Sequence, residues 1–300
     1  MKKDITKELL DVVRSVVTPL QFKPPILPVT IDKKGGDEEE ANLVISDIHL
    51  GEENPKYNMR VAKRRITGLV DSTMKIVSLH RKAYPVRKLN IFFCGDIVTG
   101  ENIFPTQPHE IETGVVHQIF DPAPHFVEQL LRLCCYFKEV RCFAICGNHG
   151  RVGKFANKLS NWDRVFYEVL RMATSQVPNI IWEIPDEWYL LAKVLNTRIL
   201  CTHGHQIKMW MNLPWYGVTT RVARWAITEG IGKFDILLLG HFHSSSRIQW
   251  NNKIILINGT TVDGDEFALE KMGLESSQCQ WLFGIHPRQG ITWSYEIDFK

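Results

Sequence analysis

Six short apolar runs recur along the chain, and they restrict its possible folds more than any other feature. They are rich in Ile, Leu, Val and Phe and show no clear alternation of apolar and polar residues. This composition is typical of strands that are buried on both faces of a sheet. Helical patterns over 58–82 and 124–137 separate several of the runs, so the sequence predicts an α/β fold of layered sheets and helices. The runs span residues 41–46, 88–94, 140–146, 198–202, 234–239 and 253–258.

The segment between residues 179 and 202 has a different pattern. Three short apolar stretches, NIIWEI, EWYLLAKVL and TRILCT, follow one another there with only short gaps. This spacing favours antiparallel neighbours, whose connections need only a few residues. We therefore expect mixed sheets with the helices on the outside.

The first 40 residues differ from the rest of the chain. Residues 4–18 have apolar positions at helical spacing, and a proline-rich stretch and the polar run KKGGDEEE follow them. The sequence therefore predicts an N-terminal helix and linker over 1–40 and one large domain over 41–300.

Charge and composition limit the partners. The chain has 36 basic and 33 acidic residues, and a net charge of +3 is too small to indicate nucleic-acid binding by bulk charge. No apolar run approaches the roughly 18 residues that cross a bilayer, and the charged N-terminus lacks the apolar core of a secretory signal. The seven cysteines include no C-x-x-C pair and give no disulfide framework. We expect a cytoplasmic protein with no membrane partner, and the sequence predicts no oligomeric state.

Polar clusters follow five of the apolar runs directly. Because open α/β sheets bind ligands beyond the carboxyl ends of their strands, these clusters should meet in one crevice. Carboxylates, neutral imidazoles and amide oxygens are ligands of first-row divalent metals, and the donors exceed what one tetrahedral site needs. Two metals that share a carboxylate would use them. The clusters are Asp47-Ile48-His49, Gly95-Asp96, Gly147-Asn148-His149, His203-Gly204-His205 and Gly240-His241-Phe242-His243.

Strand geometry offers one reason for the spacing within these clusters. Successive side chains of a strand point to opposite faces, so Asp47 and His49 should share a face, and so should His241 and His243. A single Asp or His at a strand end is more often a cap or a simple hydrogen-bonding group. The five histidines outside the clusters receive that plainer interpretation.

The series D-x-H, G-D, G-N-H, H-G-H and G-H-x-H, in this order, resembles the motifs of the calcineurin-like metallophosphoesterases. The resemblance runs from about Asn42 to Thr261, and the tail GIHPRQGITWSYEI is similar to the end of phage and bacterial members. It implies a four-layer αββα sandwich of two mixed β-sheets flanked by helices, with a dinuclear site at its edge. A phage-encoded member would work in the host cytoplasm.

The resemblance also implies roles for the clustered residues. Asp47, His49 and His243 would bind the first metal, Asp96 would bridge the two ions, and the remaining ligands would complete the second site. His149 would stand outside the metal shell and protonate the leaving oxygen, while a hydroxide shared by the metals attacks in line. We expect manganese, with zinc, iron, magnesium and nickel also compatible. The implied ligands are Asp47, His49, Asp96, Asn148, His203, His241 and His243.

Two departures from the family pattern bear on the substrate. Gly150 stands where many relatives have an acid that orients the histidine, so either another carboxylate supports His149 or its pKa is untuned. The Gly95–Gly100 segment lacks the Asp-Arg pair of the protein phosphatases. We therefore expect a phosphodiesterase or nuclease that acts on DNA, RNA or nucleotides. The alternatives are a phosphomonoesterase for nucleotides or small metabolites, and a non-catalytic scaffold subunit.

Residues around the clusters are candidates for substrate binding. Arg151 is expected to contact a phosphate, because its fork geometry suits phosphate oxygens. Asn148 and His205 are expected to face the substrate, although His205 could be a plain hydrogen-bonding residue. The insert 101–125 is predicted to form a lid loop. Trp210 and Trp215, with Met209 and Met211 alongside, could stack on a base, although packing within the fold is the plainer interpretation.

Overall fold

The computed structural model describes residues 36–157, 159–209, 214–263 and 276–299 of the chain. The predicted N-terminal helix lies outside the described residues. The division of the chain at residue 40 therefore stays a prediction.

The secondary structure follows the predicted rhythm of strands and helices. Each of the six apolar runs forms a strand, and both predicted helices form within two residues of their expected bounds. None of the helices in the described segments is long and apolar enough to cross a membrane. The strands are β1 (Glu39–Ile45), β2 (Val86–Cys94), β3 (Glu139–Ile145), β4 (Ile180–Glu183), β5 (Tyr189–Val194), β6 (Thr197–Thr202), β7 (Ile236–Leu239), β8 (Ser246–Trp250), β9 (Lys253–Ile257), β10 (Cys279–His286) and β11 (Gly290–Asp298). The helices are α1 (Met59–His80), α2 (Val115–Phe120), α3 (Ala123–Tyr136), α4 (Trp162–Ala173) and α5 (Trp215–Trp225).

The strands form two mixed sheets, as predicted. One sheet has the order β11-β10-β1-β2-β3-β4. Strands β1 to β4 run parallel to one another, and β10 runs antiparallel to both of its neighbours, β1 and β11. The other has the order β5-β6-β7-β9-β8, in which β6, β7 and β9 run parallel and the two edge strands are antiparallel.

The apolar residues of the strands bury both faces of each sheet. Leu43 and Ile45 of β1 pack in one core with residues of α1, α3 and α4, whereas Val44 packs in a second core between the sheets. On the far side, Leu237 of β7 packs with Val218 of α5 in a third core. The order helices, sheet, sheet, helix is the four-layer αββα sandwich that the family resemblance implies.

One strand differs from the prediction. The NIIWEI segment was expected to pair antiparallel with the strands that follow it, but β4 belongs to the six-stranded sheet and runs parallel to β3. Helix α4 connects β3 to β4, and such a crossover returns the chain in the parallel direction. Only β5 and β6 form the expected antiparallel pair.

The parallel strands bring the predicted clusters to one edge of the sandwich. β1, β2 and β3 end side by side in one sheet, and β6 and β7 end side by side in the other. All five polar clusters therefore begin where one of these strands ends.

Candidate metal centre

The loops that leave β1, β2 and β7 have an unusual backbone. Asp47, His49, Asp96, His241 and His243 have positive φ angles between 51° and 72°. This conformation costs a non-glycine residue about 1–3 kcal/mol and persists only where the surrounding structure fixes it. The explanation by strand alternation is wrong for both pairs, because their strands end before the pairs begin. Left-handed turns beyond the strands bring these side chains together.

Two glycines allow the loops after β2 and β3 to touch through their backbones. A Cβ atom on Gly95 would lie 2.5 Å from the nitrogen of Gly147, and a Cβ atom on Gly147 would collide with Asp96. Any side chain at either position would push these loops apart. The glycines therefore fix the distance between Asp96 and the cluster that contains Asn148 and His149.

The predicted ligands lie in three overlapping groups of potential metal ligands. Within each group, one ligand atom from every residue lies within 4.8 Å of the others. His49 and Asp96 each belong to two groups, so the three groups form one continuous cluster. The groups are Asp47 with His49 and His243, His49 with Asp96 and His149, and Asp96 with His203 and His241.

Short distances in the cluster join side-chain atoms that can coordinate one cation or share one proton. His203 Nε2 lies 2.8 Å from Asp96 Oδ2 and 3.0 Å from Asn148 Oδ1. His243 Nε2 lies 3.3 Å from both Asp47 Oδ1 and His49 Nε2. Asn148, the seventh predicted ligand, thus joins the cluster through His203.

The protonation of His203 shows why these donors fit a metal. Its Nδ1 donates to the backbone carbonyl of Cys94 at 2.8 Å, which turns Nε2 toward Asp96 and Asn148. Burial lowers the pKa of His203, but the nearby Asp96 carboxylate raises it more, to about 9. A proton on Nε2 thus joins the imidazole to two oxygen acceptors. A divalent cation bound to the same three atoms would take its place.

Burial keeps two other imidazoles of the cluster neutral. It holds the pKa of His49 well below its usual value and lowers that of His241 to about 3, with nearby histidines adding to both effects. Neutral imidazoles are the form that binds metals. The backbone N–H of His241 also donates to Asp47 at 3.0 Å, which orients that carboxylate. The donor types, their burial and their protonation fit divalent metal ions.

His149 belongs to the group with His49 and Asp96, and its ring has little support. Its backbone N–H donates to Asp96 Oδ1 at 2.8 Å, and its ring lies 4.6 Å from the ring of His49 and 4.7 Å from that of Phe104. Its Nδ1 is buried without a hydrogen-bond partner among the described residues. Burial lowers the pKa of the ring. No carboxylate in the described part of the chain therefore hydrogen-bonds to this ring in place of the acid that Gly150 replaces.

Asp163, in the first turn of α4, was not predicted as a site residue. Its side chain is fully buried and accepts four backbone hydrogen bonds. Oδ2 accepts from Asp96 at 3.0 Å and Gly147 at 2.8 Å, and Oδ1 accepts from Ile97 at 3.0 Å and Val98 at 2.9 Å. Burial and the charge of Asp96 raise its pKa to about 6, so the group is ionised at neutral pH. One carboxylate thus joins the two loops that carry Asp96 and Asn148.

The position of Asp163 is coupled to Gly150. Asn161 caps α4, and its side chain accepts from the backbone N–H of Asp163 at 2.8 Å and donates to the Gly147 carbonyl at 3.0 Å. A Cβ atom on Gly150 would lie 2.6 Å from Asn161 Oδ1. A side chain at position 150 would therefore displace this cap. The Asn-x-Asp pattern at 161–163 is an N-terminal helix signal, and it was the available sequence signal for Asp163.

Arg151 and His205 form a pair at the rim of the cluster. Nη2 of Arg151 lies 2.8 Å from Nε2 of His205, and because arginine only donates, His205 is the acceptor. Burial, with the charges of His203 and Arg151, lowers the pKa of His205 to about 3, so the ring is neutral. His205 thus contacts the predicted phosphate-binding residue, and substrate roles for both stay predictions.

The remaining predicted substrate elements have mixed outcomes. The insert 101–125 is a loop only in part, because α2 and the start of α3 lie within it. Phe104 in its loop portion contacts His149. Trp215 is the first residue of α5 and is partly exposed, so base stacking there stays a prediction. Trp210 lies outside the described residues.

The chain belongs to the calcineurin-like phosphoesterase family. The family model matches residues 43–257, which includes all five polar clusters. This match confirms the family resemblance of the sequence and the fold that it implies. Members of the family bind divalent metals, in agreement with the candidate ligand groups. Comparison with curated protein sequences finds no match.

The chain is also similar to three solved structures. An archaeal phosphodiesterase is 12% identical, with 86% of this chain and 98% of that chain covered and a TM-score of 0.43. The phosphoesterase YfcE from E. coli is 14% identical, with 86% and 100% covered and a TM-score of 0.38. Vacuolar protein sorting 29 from Cryptosporidium parvum is 12% identical, with 87% and 100% covered and a TM-score of 0.41. Family membership rests on the family model, not on these structures.

Proposed function

We propose that this protein is a metal-dependent phosphodiesterase that acts on nucleic acid or nucleotides and uses two divalent cations, with manganese expected first. The observation that carries the proposal is the continuous ligand cluster in which His49 and Asp96 each belong to two groups. A carboxylate shared between two groups of ligands can hold two cations close together, as two-metal catalysis needs.

The residues of the cluster divide between two cations. Asp47, His49 and His243 would hold the first cation, and Asp96 would lie between the two. The second would be held by Asn148, His203 and His241. When bound, two such cations polarise the phosphate oxygens and make a water molecule nucleophilic near neutral pH.

The other residues of the site would bind the substrate and move the proton. Arg151, held by His205, would bind a non-bridging phosphate oxygen. As the water oxygen forms its bond to phosphorus, the opposite P–O bond breaks. The negative charge of the bound diester would favour the protonated ring of His149 against the effect of burial, and a ring nitrogen would then give its proton to the departing oxygen. The water proton passes to solvent, so the products are an alcohol and a phosphomonoester.

The alternatives differ from this proposal in what they require. A scaffold subunit requires no ligands, yet all seven predicted ligand positions carry donors in one buried cluster. A phosphomonoesterase would use the same metals, and the absence of the Asp-Arg pair in 95–100 is the reason to favour diesters. The cytoplasmic location and the nucleic-acid substrate stay predictions.

A direct comparison of substrates tests the proposal. With Mn²⁺ present, the protein is expected to hydrolyse bis(p-nitrophenyl) phosphate with at least about tenfold higher kcat/KM than p-nitrophenyl phosphate, which is about 1.4 kcal/mol of transition-state preference. Single-stranded DNA, double-stranded DNA and RNA assayed alongside would identify the polymer.

An Asp96→Asn protein purified in parallel is the control for contaminating enzymes and should be inactive on every substrate. A preference for the monoester would favour the phosphomonoesterase alternative. Absence of hydrolysis of all five substrates, together with absence of metal binding, would favour the scaffold.

A further inference from the structure

The loop over 101–112 is attached to the site at several points. Gln107 is almost fully buried, and its side chain accepts from the backbone of Ile103 at 2.8 Å and of Phe104 at 3.2 Å. Its amide group donates to the backbone carbonyls of Thr99 and His149. The side chain of Gln107 therefore connects the loop over 101–112 to the loop after β2 and to the loop after β3.

The far end of the loop is also attached. The backbone N–H of Glu112 donates to Gly51 at 2.9 Å, and the N–H of Glu53 donates to Glu110 at 2.9 Å. The segment that follows Asp47 and His49 is thus hydrogen-bonded to the end of the loop over 101–112. Fixed at both ends, the loop holds its intervening side chains at a defined distance from the site.

Phe104 is the aromatic residue that this loop presents to His149. The two ring centroids are 4.7 Å apart at 44°, and Phe104 remains 41% exposed. The buried neighbour Ile103 anchors the loop, so the exposure of Phe104 does not result from poor packing of the segment. A partly exposed aromatic ring thus lies next to the proposed proton donor, on the side from which a leaving group would depart.

We propose that Phe104 forms a subsite for the base of a departing nucleoside, which makes it a specificity-determining residue. The inference rests on the proposed function, because His149 identifies the side from which the leaving group departs. Aromatic side chains bind nucleic-acid bases by stacking without sequence preference. Arg151 would bind the phosphate while Phe104 stacks on the base.

Substrates with and without a base test this subsite. The dinucleotide TpT is compared with two analogues in which either the 5′ or the 3′ nucleoside lacks its base. A Phe104→Leu protein should lose about tenfold in kcat/KM on TpT, since stacking of one base contributes about that much binding. On the analogue that lacks the departing base, wild type and variant should differ by less than about twofold. A Phe104→Tyr protein should retain wild-type values.

Binding of a product provides a readout without turnover. By calorimetry, Phe104→Leu should weaken binding of thymidine, the alcohol product that carries the departing base, about tenfold and leave binding of inorganic phosphate unchanged. Leu79→Ala, an exposed apolar substitution in the last turn of α1, is the matched control and should change neither.

Equal losses on TpT and on both analogues, or no loss on any of them, would overturn the subsite. Failure of the proposed function would look different, because wild type would then hydrolyse none of these diesters.

Discussion

A His149→Ala protein is expected to hydrolyse DNA phosphodiesters about 10²–10⁴-fold more slowly than wild type, while it still binds two Mn²⁺ ions. An alkoxide is a strong base and needs a proton as it departs, and a positioned general acid contributes about this factor. The loss should be much smaller, about tenfold or less, on bis(p-nitrophenyl) phosphate, because nitrophenolate leaves without a proton. Steady-state rates on both substrates and metal analysis of the purified variant measure this.

The metal content separates the two possible roles of His149. A ring nitrogen of His149 lies within 4.8 Å of ligand atoms of His49 and Asp96, so the ring is close enough to act as a ligand itself. If it were one, the alanine variant would lose metal and would lose equal activity on both substrates. His117→Ala, a substitution at a 64% exposed histidine of α2, is the control and should keep wild-type values.

An Asp163→Asn protein is expected to bind Mn²⁺ about 10–100-fold more weakly than wild type, as removal of groups that support metal ligands commonly does. In asparagine, an NH2 group replaces one of the two carboxylate oxygens. This NH2 group is a donor, and it would face backbone N–H groups, which are also donors. If it replaces Oδ2, the N–H groups of Asp96 and Gly147 lose their acceptor. Two unpaired buried donors should also lower the free energy of unfolding by about 2–4 kcal/mol.

Calorimetric titration with Mn²⁺ and denaturant unfolding of the metal-free protein measure the two effects. Asp186→Asn makes the same chemical change at an exposed residue that pairs with Arg164, and it should cost less than about 1 kcal/mol and no metal affinity. Wild-type Mn²⁺ affinity in Asp163→Asn would show that the metal ligands do not depend on this carboxylate.

The sequence predicted most of the fold because strands buried on both faces are marked by their composition. The run at 88–94, for example, is rich in Leu, Ile and Phe, and it forms a central strand of the six-stranded sheet. The sheet to which β4 belongs was not predictable from its own residues, since a strand of only four residues fits either sheet. Pairing of that strand depends on the crossover through α4, which is a tertiary property.

The candidate site was predictable as a set of residues but not as a geometry. The order of the clusters and the parallel strands were enough to expect Asp96 and His203 in one crevice. The left-handed backbone at Asp47 and His49 could not be predicted from residue type, because Asp and His adopt it in only a minority of cases and the surrounding loops enforce it here. Asp163 lies 67 residues from Asp96 in the chain, and its contacts are with backbone atoms, which no spacing rule encodes.

The most direct measurement of the central claim is the phosphodiesterase activity of metal-free protein as Mn²⁺ is added. The account predicts no hydrolysis of bis(p-nitrophenyl) phosphate without metal, a rise that ends at two equivalents per chain, and loss of activity when a chelator is added. Asp96→Asn should show no activity at any ratio. Full activity at one equivalent, or hydrolysis in the presence of excess chelator, would contradict a site in which Asp96 joins two metals.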